Sequence, residues 1–286
     1  MTGYVNSSFG KLRRVLLCKP DFYRLMPSNK TSKKYIERGE SLNLDVVKHQ
    51  YDEFCTILNT AGVDIVFVEP RIELPYQIFT RDLGAVTPCG ALLGHFKWEF
   101  RRQEIKPARE QIAKILPVWE TITPEEDTFF EGGDFMYMDS STIALGVAGR
   151  TSKKGAEIVQ RLMGEQGFEV ISIYFDPDYC HLDMIFNVVS ERICVACLEL
   201  LPDEFIRRIR REGWEIIETT KQQVLQLLGN IFAIDNGKVI SPAHNNKINA
   251  CFRTLGLDVV LVEMEEILRG GGGPHCMTYP LLRDPL

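Results

Sequence analysis

The sequence lacks a long hydrophobic run and a leader-like start. Its longest apolar stretches, such as residues 63–68 and 259–262, are far shorter than the about 20 residues that a membrane-spanning helix needs. The first twenty residues contain neither the apolar stretch nor the small-residue cleavage site of a signal peptide. These absences argue against a membrane protein and predict a cytoplasmic one.

An excess of positive charge is also missing. The chain has 33 lysines and arginines against 39 aspartates and glutamates, which gives a formal net charge of -6. Without a broad basic face, neither nucleic acid nor an anionic membrane is favoured as a partner, so we expect a small-molecule ligand. The 286 residues, 45% of them hydrophobic, contain no linker or low-complexity segment, and we predict a single domain over residues 1–286.

Cysteine is frequent, with eight residues. In a long chain without a secretion signal, cysteines are better interpreted as buried thiols, one of which can be reactive, than as disulfides. Cys194 and Cys197 form a CxxC motif, but they lie in the apolar run 193–198, which we predict to be a buried strand. No second ligand pair accompanies them, so a metal or redox site is not favoured there.

Five apolar segments bounded by turn residues recur about every 45 to 55 residues. We predict that they are strands. Amphipathic helical stretches precede most of them, and a hairpin-like segment with a polar turn follows each strand. The predicted strands are residues 63–68, 115–122, 168–175, 214–220 and 257–264, and the predicted helices are residues 44–61, 153–166, 203–212 and 247–255.

One repeat is therefore predicted to consist of three strands and a helix. A unit that is repeated five times and cannot bury its apolar face alone favours a closed ring of α/β modules. The alternative is an ordinary open α/β sheet in which the regularity is a coincidence.

A short polar or glycine-rich segment follows each of the five predicted strands. These segments contain, in order, Asp82, Glu131, His181, Asn230 and Cys276, which are separated by 49, 50, 49 and 46 residues. Taken singly, each residue has a structural interpretation, such as a local ion pair, a turn cap or a core histidine. In a ring of modules, however, they would meet at one place and form an active site.

The segment before Cys276 supports a reactive thiol. Four consecutive glycines, residues 270–273, and Pro274 allow a close approach of the backbone, which can expose N–H groups beside the sulfur. The alternative is a flexible glycine linker.

Four of these segments resemble the motifs of the guanidino-group-modifying enzymes, the superfamily of arginine deiminase, dimethylarginine dimethylaminohydrolase and the amidinotransferases. Residues 79–82 (FTRD) and 131–134 (EGGD) resemble its two substrate-binding motifs, residues 181–183 (HLD) its histidine motif, and residues 272–277 (GGPHCM) its nucleophile loop. The resemblance covers nearly the whole chain and implies a fivefold pseudosymmetric α/β propeller.

The resemblance also implies roles for individual residues. Cys276 would attack the guanidinium carbon and form a covalent adduct, and His181 would protonate the departing amine and then activate water. The carboxylates would bind the guanidinium: Asp82 and Asp183 directly, and Glu131 either directly or by orienting His181. No metal or organic cofactor is implied.

Two arginines occupy equivalent positions in this pattern. Arg101 lies nineteen residues after Asp82 and Arg150 nineteen after Glu131, which resembles the placement of arginines that hold the substrate α-carboxylate in arginine deiminase and dimethylargininase. A bidentate guanidinium–carboxylate pair suits that role. The implied substrate is therefore an α-amino acid.

The subfamily is left open by two departures from the pattern. The HLD triplet favours unmethylated arginine, but Tyr76 stands where the deiminases and dimethylargininases carry an amide or acid, and His275 stands where deiminases often carry arginine. The expected reaction is hydrolysis of arginine or an N-substituted arginine to citrulline plus ammonia or amine. The alternatives are an amidinotransferase and a non-catalytic binding module of the same fold. Which of Asn230, Asn245 and Asn249 reaches the site is also open.

Overall fold

A computed structural model of the protein describes residues 4–285; residues 1–3 and 286, which the predicted domain also includes, lie outside the described residues. The strands are β1 (Leu12–Cys18), β2 (Asp64–Val68), β3 (Gly84–Thr87), β4 (Gly90–Leu93), β5 (Val118–Thr121), β6 (Phe135–Tyr137), β7 (Thr142–Val147), β8 (Glu169–Tyr174), β9 (Phe186–Ser190), β10 (Ile193–Ala196), β11 (Glu215–Glu218), β12 (Phe232–Asp235), β13 (Lys238–Pro242), β14 (Asp258–Val262) and β15 (Tyr279–Arg283).

The helices alternate with these strands. They are α1 (Lys30–Glu37), α2 (Leu44–Thr60), α3 (Glu99–Arg102), α4 (Ile105–Ile112), α5 (Lys153–Glu165), α6 (Leu182–Ile185), α7 (Asp203–Arg211), α8 (Lys221–Leu225), α9 (Asn246–Thr254) and α10 (Glu265–Leu268). Single 3-10 turns lie at Thr80–Leu83, Gly132–Asp134, Pro177–Tyr179 and Leu198–Leu200.

The strands form five separate three-stranded sheets, which have the orders β15-β1-β2, β3-β4-β5, β6-β7-β8, β9-β10-β11 and β12-β13-β14. In every sheet the middle strand is antiparallel to the first strand and parallel to the third, to which a helix connects it. The predicted α/β class and fivefold repeat are confirmed. The alternative of one open sheet is wrong, because no strand of residues 4–285 joins two of these sheets.

The third strands and their helices match the predicted segments to within a few residues. In α5, the side chain of Ser152 accepts a hydrogen bond from the N–H of Gly155 and caps the helix. Ala156, Val159 and Met163 follow at helical spacing on the buried face. The helix stops before Gly167, which has a φ of 89° and allows the chain to turn toward β8.

The first module is built from both ends of the described chain. β1 pairs with β15 in antiparallel fashion, with Leu16 opposite Tyr279, and it pairs with β2 in parallel. This pairing closes the series of modules and fixes the segment before β15, which contains Cys276, against the segment before β3.

The cysteines agree only in part with the interpretation as buried thiols, because Cys89 and Cys251 are exposed. All eight cysteines lie within the described residues and are free thiols, and Cys194 and Cys197 are buried in and beside β10. Throughout residues 4–285, no helix combines the length and the apolar character that crossing a membrane requires.

Candidate active site

The predicted site residues occupy equivalent places in the five modules. Asp82, Glu131, His181, Asn230 and Cys276 each lie a few residues before the first strand of a sheet, respectively β3, β6, β9, β12 and β15. Because the modules repeat around a common centre, these five segments meet. Hydrogen bonds therefore connect neighbouring modules: Glu131 pairs with His181, and Asn230 pairs with Cys276.

The meeting point is a small cavity with a volume of about 20 Å³. Asp82, His181 and Cys276 line it, together with Ser28, Asn29, Tyr76, Phe79, Arg101, Arg150, Cys180, Met184 and Gly271. A cavity of that size holds about one water molecule. Larger surface grooves of about 590 and 680 Å³ lie elsewhere, and neither is lined by a cysteine.

His181 and Glu131 form a buried ion pair. His181 Nε2 lies 2.8 Å from Glu131 Oε2, and the ring packs against Gly133, where a Cβ would lie 2.7 Å from the His181 Cγ. Burial alone would lower the pKa of His181, but Asp82, Glu131 and Asp134 raise it to about 10. Burial alone would raise the pKa of Glu131, but Arg150 and His181 lower it to about 2. The pair therefore holds a proton on His181 at neutral pH.

A second pair joins Asp183 to His275. His275 Nδ1 lies 2.7 Å from Asp183 Oδ2, and both side chains are buried. Burial and the positive charge of Arg81 lower the pKa of His275 to about 4, so the ring is neutral at pH 7 and its Nδ1–H donates to the carboxylate. Asp183 carries its full negative charge, because His275, His181 and Arg81 outweigh burial and lower its pKa.

The thiol of Cys276 lies beside this second pair. Its Sγ is 3.7 Å from Asp183 Oδ2 and 2.8 Å from Asn230 Nδ2, and 5% of the residue is exposed. Burial, Asp183 and Asp82 raise the pKa of the thiol well above its usual value. In the free protein, the sulfur is therefore protonated at neutral pH and needs a nearby cation to become a thiolate.

Besides Asp134 Oδ2, two carboxylate oxygens at the site have no hydrogen-bond partner. They are Asp82 Oδ1, which lies 3.6 Å from His181 Nδ1, and Asp183 Oδ1. Buried polar atoms are nearly always satisfied, so each unsatisfied oxygen needs an explanation. A cationic ligand with several N–H donors would satisfy both.

The two predicted arginines line the cavity, but their donors are engaged within the protein. Arg101 donates to both carboxylate oxygens of Glu104, at 3.0 and 2.9 Å, and to Asp82. Arg150 donates to Glu131 Oε2 at 3.0 Å and to the carbonyl oxygen of Ser28 at 2.9 Å. A substrate carboxylate at either arginine would replace one of these partners.

Asp82, Glu131 and His181 could also hold a metal ion, because one donor atom from each lies within 4.8 Å of the others. The surroundings do not favour this use. Each carboxylate already pairs with an arginine, Asp82 with Arg101 and Glu131 with Arg150, and His181 holds a proton that it would have to lose to bind a metal ion.

Several residues at the site were missed or left unassigned from the sequence. Glu104 lies three residues after Arg101 on the same face of the chain, a spacing that indicates an ion pair but not its burial. Tyr76 donates its hydroxyl to the Gly270 and Met26 carbonyl groups, and so holds the segment before α1 against the nucleophile loop. Nothing in the sequence pattern pointed to Ser28 or Asn29.

Of the three candidate asparagines, the structure places Asn230 at the sulfur. Asn245 donates to the Leu228 carbonyl oxygen and Asn249 to the Pro242 carbonyl oxygen, and neither lines the cavity.

Comparison with known sequences identifies relatives of this chain. The sequence model of the family described as N,N dimethylarginine dimethylhydrolase, eukaryotic, matches residues 24–283. The uncharacterized protein YkgA of Bacillus subtilis is 24% identical over 279 residues, which cover 97% of this chain and 94% of YkgA. The arginine deiminase of Borrelia recurrentis is 25% identical over 287 residues, which cover 85% of this chain and 68% of the deiminase.

Solved structures share the fold. The N-terminal domain of ArgZ, a cyanobacterial arginine dihydrolase, was solved bound to substrate; it matches with a TM-score of 0.84 and 18% identity, covering 96% of this chain and 99% of that domain. SxtG, an amidinotransferase of Microseira wollei, matches with a TM-score of 0.82 and 16% identity, covering 98% of this chain and 97% of SxtG. These likenesses confirm the predicted fivefold pseudosymmetric α/β propeller.

Proposed function

The chain belongs to the N,N dimethylarginine dimethylhydrolase family of guanidino-group-modifying enzymes, and on that premise we propose that it hydrolyses the guanidinium group of arginine or an N-methylated arginine. The products would be citrulline and ammonia or a methylated amine. As a member of this family the protein is an enzyme that acts on guanidino C–N bonds. Beyond the family's reaction type, we propose that water accepts the carbon group from Cys276 and that the substrate is arginine or an N-methylated arginine.

The observation that carries the proposal is the pair of unsatisfied oxygens beside a buried thiol. Asp82 Oδ1 and Asp183 Oδ1 are buried without partners, and Asp183 also lies 3.7 Å from the sulfur of Cys276. A guanidinium group carries a positive charge and N–H donors on three nitrogens. Placed between the two carboxylates, it would satisfy both oxygens and present its carbon to the sulfur.

Binding of the cation would also activate the nucleophile. Asp82 and Asp183 raise the pKa of the Cys276 thiol, and a guanidinium between them would offset their charge. The thiol would then lose its proton to water when substrate is present and become the thiolate. Its attack on the guanidinium carbon forms a C–S bond and a tetrahedral adduct.

The first pair, Glu131 and His181, would supply the proton. His181, which is charged at neutral pH, would give its proton to the departing nitrogen as the C–N bond breaks. The neutral imidazole would then take a proton from water as the hydroxide adds to the carbon. Breaking of the C–S bond, with loss of the added hydroxyl group's proton to solvent, would release the ureido product and return the thiolate of Cys276.

In this conformation the cavity is too small for the substrate. With a volume of about 20 Å³, it has room for one water molecule, but not for arginine or for a second amine. Substrate entry therefore requires residues that line the cavity, such as Ser28 and Asn29, to move. Arg150, which donates to the Ser28 carbonyl oxygen, would then be free to bind the α-carboxylate, and Arg101 is proposed to share this role.

A paired assay tests the proposal. The wild type, Cys276→Ser and, as a matched control, Cys180→Ser would be incubated with arginine, methylated arginines and agmatine. Citrulline would be quantified, and acid-quenched protein would be analysed by mass spectrometry. We expect citrulline and a covalent mass gain on Cys276 for the wild type and the control, and neither for Cys276→Ser. Cys180 lines the same cavity, so its variant reports the effect of a nearby lost thiol.

The same assay separates the alternatives. A new guanidino product after addition of glycine, lysine or ornithine would show that the adduct passes to an amine and would make the protein an amidinotransferase. No adduct and no product from any compound would contradict the proposal and favour a binding module of this fold.

A further inference from the structure

The fourth module contributes an asparagine where the other modules contribute charged or nucleophilic groups. Asn230 lies between α8 and β12, 49 residues after His181 and 46 before Cys276. Its residue exposure is 1%, and its Nδ2 is the nitrogen that lies 2.8 Å from the sulfur of Cys276. The proposed reaction leaves this contact without a role.

The orientation of the carboxamide follows from its other contacts. Asn230 Oδ1 accepts hydrogen bonds from the backbone N–H of His275 at 2.9 Å and of Cys276 at 3.4 Å. A backbone N–H can only donate, so the oxygen of the amide must face the nucleophile loop. The –NH₂ group is then the part that faces the sulfur, and it can only donate to it.

Neighbouring residues also hold the carboxamide of Asn230 in place. Asn187 Nδ2 donates to the carbonyl oxygens of Gly229 and Ile231, at 3.0 and 2.7 Å, and so fixes the backbone on both sides of Asn230. At Gly273, a Cβ would lie 3.0 Å from Asn230 Oδ1, so only a glycine lets the loop approach this closely without displacement. The donor is thus preorganised against the sulfur.

The charges around the sulfur explain why a fixed donor matters. Burial, Asp183 and Asp82 disfavour the thiolate, whereas the carboxamide of Asn230 and the backbone N–H of Gly273 favour it. The charged and titratable groups that face Cys276 from the surrounding elements are Asp82, Asp183, Arg81, Tyr23, His275 and His181.

We propose that Asn230 is a catalytic residue, whose carboxamide N–H stabilises the negative sulfur of Cys276 before attack and again when the adduct breaks down. It transfers no proton and forms no covalent bond. The thiolate is the form of the sulfur both as attacking group and as leaving group, so the same hydrogen bond acts in both steps. The inference rests on the proposed role of Cys276 as nucleophile.

Alkylation of Cys276 measures this effect without any substrate. The rate constant for iodoacetamide would be followed between about pH 7 and pH 10, and mass spectrometry would separate Cys276 from the other seven cysteines. A hydrogen bond to a charged group corresponds to about one to two units of pKa. Asn230→Ser should therefore raise the apparent pKa of Cys276 by that amount and lower alkylation about 10- to 100-fold at pH values below it.

Two further variants make the result specific. Asn230→Asp keeps an oxygen for the N–H groups of His275 and Cys276, so it preserves the loop contacts and removes the donor; its alkylation should be slowed at least as much. Asn249→Ser removes a carboxamide that is equally buried but donates to the Pro242 carbonyl oxygen, and should leave Cys276 unchanged. Thermal unfolding of each variant would establish that it is folded.

The outcomes either support or overturn the role of Asn230. Slower alkylation in both Asn230 variants but not in Asn249→Ser supports it. Unchanged alkylation in Asn230→Ser overturns it, even if Asn230→Asp is slowed, because the added charge alone would then explain the shift. A failure of the proposed function would be distinguishable: the wild type would turn over no guanidino compound, while the alkylation profiles would still differ between variants.

Discussion

Two buried carboxylate–imidazole pairs lie at the centre of the propeller, and their geometry is nearly the same. The distance is 2.8 Å between Glu131 and His181 and 2.7 Å between Asp183 and His275. All four side chains are buried. Their protonation is opposite, because the pKa of His181 is raised to about 10 and that of His275 is lowered to about 4.

The difference in protonation arises from the charged groups around each pair. The carboxylates of Asp82 and Asp134 act on His181 and favour its charged form, whereas the guanidinium groups of Arg81 and Arg283 act on His275 and oppose it. The first pair is therefore an ion pair with no net charge and a proton to give. The second carries a net negative charge, which suits it to hold a cation. Two similar contacts thus acquire different chemistry from their electrostatic surroundings.

Replacing each histidine by asparagine tests this comparison with the largest expected effect. His181→Asn removes the proposed acid and base and should lower kcat by about 10²- to 10⁴-fold. In His275→Asn, the amide can still donate from about the position of Nδ1 to Asp183, so kcat should fall by less than about 10-fold, the loss of one neutral hydrogen bond at most. Steady-state citrulline formation by both variants measures the difference.

Equal losses in the two variants would contradict the assignment of the proton to His181. His275→Phe provides the control, because it fills the space without a donor. Its activity should lie below that of His275→Asn, since the buried carboxylate of Asp183 would lose a partner.

Neutralising the carboxylate of the second pair should give an intermediate effect. In Asp183→Asn, the guanidinium loses a charged acceptor beside the sulfur, and kcat/KM for arginine should fall about 10- to 100-fold. The loss should be smaller for an arginine with both methyl groups on one distal nitrogen, because that nitrogen has fewer N–H groups to donate to Asp183. A comparison of kcat/KM for the two substrates in wild type and variant measures the change in preference. An equal loss for both substrates would indicate that Asp183 does not contact the distal nitrogens.

The positions of the site residues could be predicted from the sequence because the repeat is local. The third strand of each module and its preceding helix carry clear periodicity, and their spacing placed Asp82, Glu131, His181 and Cys276 in register. The pairing of β1 with β15 could not be predicted in this way, because the partners lie near opposite ends of the chain and hydrophobic patterns do not identify a strand's neighbour.

The hydrogen-bond partners of the site residues could not be predicted from the sequence either. The spacing in the sequence predicted that His275 and Asn230 lie near the centre. Their hydrogen bonds to Asp183 and Cys276 depend on side-chain orientation, which the periodicity of a sequence does not predict. Ser28 lies between β1 and α1, in a segment that the spacing of the site residues did not single out. The α-carboxylate role of Arg101 and Arg150, like the other residue roles, stays a prediction.

The smallest expected effect comes from changing the surroundings of the second pair. Arg81 is one of the charges that lower the pKa of His275, so Arg81→Gln should move that pKa upward from about 4 toward the usual value near 6.5.

In the wild type the ring stays neutral above about pH 5 and the pair keeps its negative charge. In the variant, protonation of His275 would begin at higher pH and neutralise the pair, so KM for a guanidinium substrate should rise as the pH falls toward 5. Titration of the imidazole resonances by NMR, with the partly exposed Arg14→Gln as control, measures the shift directly. An unchanged His275 pKa would mean that burial alone keeps this ring neutral, and the contrast between the two pairs would then rest on desolvation rather than on charge.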